Sequence, residues 1–177
     1  MAGKILFRPL KMEVIEPATD IKTILEDTAW TEAEVWGRTQ GGVTLSQPIE
    51  TTEIIADDSR EPVYKYREIL GSTLTVNLLE VDKEKLMTIF GGEAATTTTT
   101  TGFIVNKQPV STKKAVRFTT QDIQTGEKLY IVYPNVEFTC EADLELVDSE
   151  TVVPFTLDVL SDSNGFKWGY YEVNSGV

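Results

Sequence analysis

No histidine occurs anywhere in the chain, and cysteine occurs once, as Cys140. The first absence removes the usual general base and proton shuttle, and with them the commonest transition-metal ligand. The second rules out an intrachain disulfide and leaves the redox compartment unread. Positive charge is scarce as well: 16 Lys and Arg against 28 Asp and Glu give a formal net charge of −12. Such a balance keeps a protein soluble and argues against a surface made to grip phosphates or an anionic membrane. No apolar run approaches a membrane span, and the opening MAGKILFRPLKM is too short in apolar residues for a signal peptide. A phosphate loop, a nucleophile elbow and a dinucleotide fingerprint are all missing. The expectation is a protein without catalytic residues, cofactor or bound metal.

What is present suffices for one ordinary domain: 177 residues, 41% hydrophobic, with no compositional break between 1 and 177. The chain is organised around residues 63–92. Tyr64, Tyr66, Leu70, Leu74, Val76 and Leu78 alternate with Lys65, Arg67, Thr73, Thr75 and Asn77. Period two is the signature of a strand with one buried face. A single strand of that length far exceeds the usual five or six residues, and Gly71 is the natural place for a bend. The excess length suggests pairing with another subunit, with Lys65, Arg67, Thr73 and Thr75 as the candidate contact residues. At Asp82, a good N-cap, the period changes to that of a helix over about 82–90, with Gly91-Gly92 as its stop.

The flanks are less regular. Residues 1–29 mix short apolar pieces with Pro9 and Pro17 and read as an N-terminal arm. A short strand ends at a Gly41-Gly42 turn, and Asp57-Asp58 lies in a charged loop closed by Pro62. Six threonines, Thr96 to Thr101, make 93–102 a Thr-rich surface loop. From 116 onwards the strands repeat: 116–120 and 128–133 around a turn at 124–127, then 136–146, then 153–159. The Asn164-Gly165 turn next folds a last strand, 166–173, back onto its predecessor. The expected fold is mainly β, an antiparallel β-sandwich or partly closed barrel with one short flanking α-helix.

Chemistry has few places to reside. Glu137, Glu141, Asp143 and Glu145 form an acidic row on one strand face, spaced rather than converging, so a solvated face is the plain reading. A face that presents negative charge to a partner is the functional reading. Cys140 reads as a buried, inert thiol between Phe138 and Ala142, and Trp30, Trp36 and Trp168 as core or interface anchors.

Over roughly residues 30–173 the chain resembles the major tail (tail tube) proteins of long-tailed bacteriophages. The likeness is carried by GRTQGGVTL at 37–45, the Asp57-Asp58 loop, LLEVDKEKLMTIFGG at 78–92, VPFTLDVL at 153–160 and GFKWGY at 165–170. It implies a structural virion protein with no active site. Its subunits would form hexameric rings stacking into a tube, assembled in the host cytoplasm and carried in the virion tail. The implied partners are further copies of itself, the tape-measure protein, and tail terminator or tip proteins, with DNA only as cargo. Under that resemblance the acidic row becomes a candidate lumen lining that repels the passing duplex. The competing class is a monomeric immunoglobulin-like β-sandwich that binds or decorates; a hydrolase built on the acidic strand lacks both base and nucleophile.

Overall fold

The computed structural model describes residues 11–55, 61–79, 81–121, 127–142 and 152–172. Among these residues the chain is mainly β and antiparallel, with one α-helix. In chain order the strands are β1 (Lys11–Ile15), β2 (Glu34–Ser46), β3 (Ile49–Ile55), β4 (Pro62–Ile69) and β5 (Ser72–Leu78). After helix α1 (Lys83–Phe90) come β6 (Glu93–Thr96), β7 (Thr101–Ile104), β8 (Lys113–Gln121), β9 (Lys128–Ala142), β10 (Val153–Leu160) and β11 (Gly169–Glu172).

The main sheet runs β10-β5-β2-β1-β8-β9-β11, and β10 also pairs with β9. The first six strands of that order therefore close on themselves as a barrel. The 15 residues of β9 make this possible: the Leu129–Val132 part pairs with β11, and the 135–142 part pairs with β10. Trp36, Phe138 and Phe155 meet at the centre, with ring centroids 5.2–6.3 Å apart. Leu74, Val76, Leu78, Val136, Leu157 and Met12 complete the apolar interior.

A second apolar layer lies outside. Two single-turn 3-10 helices, Ile21–Ile24 and Asp27–Trp30, cover the outer side of β8 and β9, burying Ile21, Ile24 and Trp30 against Ala115, Tyr130 and Val132. These strands are thus buried on both faces, which is why AVRF and YIVY read as runs rather than alternations. Residues 11–29 are consequently no arm. Met12 and Val14 sit at the middle of the sheet, paired with β2 and β8, and the following turns roof it. Residues 1–10 lie outside the described residues.

The helix ends behave as the sequence indicates. Asp82 caps the N-terminus, its Oδ1 accepting from the backbone N–H of Glu84 (3.0 Å) and Lys85 (2.9 Å). Gly91 closes it at φ 63°, where a Cβ would lie 2.6 Å from Cys140 Sγ and 2.7 Å from the Val110 carbonyl. Ile89 is buried in the barrel cluster, with Leu86 and Phe90 packed against it.

Three local expectations are corrected. Gly41 and Gly42 do not end a strand: both have positive φ and form a bulge inside the 13 residues of β2, with Thr39 opposite Leu78 and Val43 opposite Val76. The 93–102 loop is a hairpin, β6 with β7, whose Thr97–Thr100 connection is tied by the Thr97 hydroxyl accepting from the Thr100 N–H. After the Gly165 turn the chain does not fold back on β10. It runs irregularly through Phe166–Trp168 and crosses to β9 as β11. The expected pairing of 116–120 with 128–133 is present, with Thr120 opposite Leu129; residues 124–126 of its turn lie outside the described residues, as does the Asp57-Asp58 pair.

Candidate self-assembly surface

The long ribbon of 63–79 divides at Leu70-Gly71 into two strands with different surroundings. In β5, Leu74, Val76 and Leu78 are wholly buried. In β4, Tyr64 and Tyr66 keep 59% and 48% of their surface exposed, and among the described residues β4 pairs only with β3. The β3–β4 hairpin is outside the barrel sheet, and all its side chains described are exposed.

Its register defines two faces. Ile49/Ile69, Thr51/Arg67 and Glu53/Lys65 lie across from one another on one face; Glu50/Glu68, Thr52/Tyr66 and Ile54/Tyr64 do so on the other. Lys65 Nζ contacts Glu53 Oε1 at 2.6 Å. The side chains of Arg67, Glu50 and Glu68 make no such contact among the described residues. At the base, Leu70 N–H donates to the Pro48 carbonyl (3.0 Å), and Trp168 Nε1 donates to Gln47 Oε1 (3.3 Å). Ile49, Ile69, Leu70, Phe166 and Trp168 are all exposed around it. Of the three tryptophans, Trp30 and Trp36 are core and Trp168 lies at this surface.

Of the four ribbon residues picked out from sequence, Lys65 and Arg67 stand on the projecting hairpin. Thr73 and Thr75 are inside the barrel wall, flanked by Ser46 and Thr44 on β2 and by Asp158 and Thr156 on β10. Their backbone groups are committed within the chain, so they are not available to a neighbour's strand. Glu50 and Ile54 on β3 and Glu68 on β4 gain a shared face only from the register of the two strands.

The acidic row is interrupted. Glu137 is half-buried, accepts from Ser111 Oγ at 2.6 Å and lies 3.9 Å from Lys113 Nζ. Beyond it β9 bulges at Cys140, whose φ of 60° is the one positive value outside glycine among the described residues. Phe138 opposes Leu157 while Ala142 opposes Phe155, so the bulge absorbs extra residues and re-aims Glu141. Glu141 lines an open cleft of about 280 Å³ with Thr75, Pro154 and Thr156. Asp143 and Glu145 lie outside the described residues. Cys140 is not in the barrel interior. It is partly exposed beside Gly91, and burial together with the nearby Glu137 carboxylate raises its thiol pKa, which suppresses the reactive thiolate.

The densest polar constellation is structural and was not picked out from the sequence. Arg117 on β8 lies opposite Glu13 on β1, with Nη2 2.9 Å from Glu13 Oε2, and donates to Asp27 Oδ1 at 2.6 Å. Its guanidinium stacks 4.8 Å from the Trp30 ring and 4.5 Å from Tyr130. Burial pushes the Glu13 pKa up, but hydrogen bonds from Lys11 and Thr119 and the Arg117 charge outweigh it and hold it below 4.5. Burial, with Asp27 as hydrogen-bond partner, pushes the Tyr130 phenol up to about 12. These groups pin the 3-10 roof to the sheet. Among the described residues, no three acidic or thiol side chains converge as metal ligands would.

No protein-family model matches the chain, and no curated protein matches it.

Proposed function

We propose that the chain is a structural subunit that assembles with copies of itself through the β3–β4 hairpin, as the repeating unit of a tube. One observation carries this reading. Among the described residues, two strands with Ile49, Ile54, Ile55, Tyr64, Tyr66 and Ile69 exposed pack on no other strand of their own chain. An isolated two-stranded hairpin is marginal in water, and contiguous exposed apolar surface marks an interaction site. The resemblance to tail tube proteins supports the finer reading: a virion tail tube of stacked rings with DNA as cargo and the tape-measure and terminal tail proteins as partners. In that tube the exposed Glu141 is the described member of the acidic row best placed to face a channel.

Light scattering on size-exclusion fractions over a range of concentrations tests it, with negative-stain microscopy on the same fractions. The expected result is mass well above the 19.7 kDa of one chain, with rings or tubes in the images. A single 19.7-kDa species at every concentration overturns the reading and favours the monomeric binding domain.

A further inference from the structure

We infer that the hairpins of successive copies stack with unlike faces together, Arg67 of one copy lying over Glu50 and Glu68 of the next. The inference rests on the self-assembly reading and identifies which surfaces meet.

The hairpin is electrically incomplete by itself. Glu50 and Glu68 are directly opposite on one face, a like-charge pair that destabilises an antiparallel ladder, and no cation reaches them among the described residues. Arg67 is on the other face, where the carboxylate of the next rung, Glu53, contacts Lys65, in a chain whose net charge is −12. Successive side chains on a strand point to opposite sides, so Arg67 cannot turn to Glu68 or Glu50 of its own ribbon. Lys65 is already held by Glu53. Among the described residues the unmatched charges are therefore complementary between copies, and a guanidinium can serve two carboxylates at once.

The apolar residues follow the same division. Ile49 and Ile69 flank Arg67 on its face; Tyr66, Tyr64 and Ile54 continue from the glutamates on the other. Two ribbons packed face to face at the usual sheet spacing of about 10 Å cover both sets together. Because unlike faces meet, each added copy leaves one face of each kind exposed. The contact is heterologous and continues into a closed ring or a filament instead of ending at a dimer.

Charge exchange between copies tests this. Variant one is Arg67→Glu; variant two is Glu50→Arg with Glu68→Arg. In each, the two faces now carry the same sign, so each alone should remain a single subunit by light scattering. In an equimolar mixture, alternating copies of the two variants bring opposite-sign faces together and should assemble as the native chain does, as should one chain carrying all three substitutions. Thermal melts matching native confirm that each variant's barrel is folded. Assembly of both variants separately, or failure of the mixture while the native chain assembles, overturns this contact and leaves self-assembly standing. A native chain that stays monomeric overturns both.

Discussion

β4 and β5 are neighbours in sequence, carry the same alternation of apolar and polar residues, and finish in opposite environments. β5 is bonded on both sides and its Leu74, Val76 and Leu78 contribute to the barrel interior. Among the described residues β4 has one partner, and its Tyr64 and Tyr66 face outward. The alternation fixes that each segment is extended and two-sided. It does not fix whether the apolar side is covered by the same chain. The difference arises at Leu70-Gly71, where the ribbon leaves the wall, and from the partners found by each half: β2 and β10 for one, β3 alone for the other.

The largest contrast is expected from truncating equivalent apolar positions. Leu74→Ala should destabilise the soluble subunit by about 2–5 kcal/mol, because the site is fully packed and cannot collapse. Tyr64→Ala should alter it by no more than about 0.5 kcal/mol. Urea unfolding of both variants, followed by tryptophan fluorescence, makes the comparison. A loss of several kcal/mol at Tyr64 would mean that the hairpin is covered by its own chain.

The same contrast holds for the two arginines. Arg117→Met leaves Glu13 with Lys11 and Thr119 alone and should cost about 1–3 kcal/mol near neutral pH, whereas Arg67→Met should be close to neutral in the unassembled chain. The sign of the pH dependence follows from Glu13. Its folded pKa is depressed, so its contribution is complete above 4.5 and is lost as pH falls through the folded value. Native and Arg117→Met stabilities should therefore converge as pH falls below 4.5, since protonation removes the charge that Arg117 balances. Parallel curves down to pH 3 would assign the cost to lost packing on Trp30 and Tyr130 instead.

The smallest effect lies just beyond β5. Asp82→Ala removes the cap of α1 and should cost about 1 kcal/mol in the same urea assay, since two backbone N–H groups lose their acceptor. An unchanged midpoint would show that packing of Ile89 alone holds the helix.

The fold class, the α1 caps and the apolar side of β5 and β10 were legible because each depends on residues close in sequence. Alternation, an Asp before a helical period and a Gly after it are local signals. What could not be read depends on distant partners. Residues 11–29 look like an arm until β8 supplies the other side of β1, about a hundred residues later. Gly41 and Gly42 look like a turn, because a bulge with positive φ has the same composition. The acidic row looks continuous because a φ of 60° at Cys140 leaves no mark in the sequence. The hairpin was half legible: Lys65 and Arg67 were placed with a partner in view, while Glu50 and Glu68 acquire meaning only from the register.

The placement of β1 also bears on the order in which the molecule can be made. Met12 pairs with Gly37 within the first forty residues, but its other edge awaits Phe118. At about 5–20 residues per second of synthesis, the nascent sheet keeps that edge open for several seconds. Such long-range pairing also slows the folding search. Barrel closure comes later still, when Leu157 reaches Phe138. Through that interval the growing chain exposes both an unclosed sheet edge and the apolar β3–β4 hairpin, so chaperone demand should be greatest on the ribosome and fall once β10 has emerged.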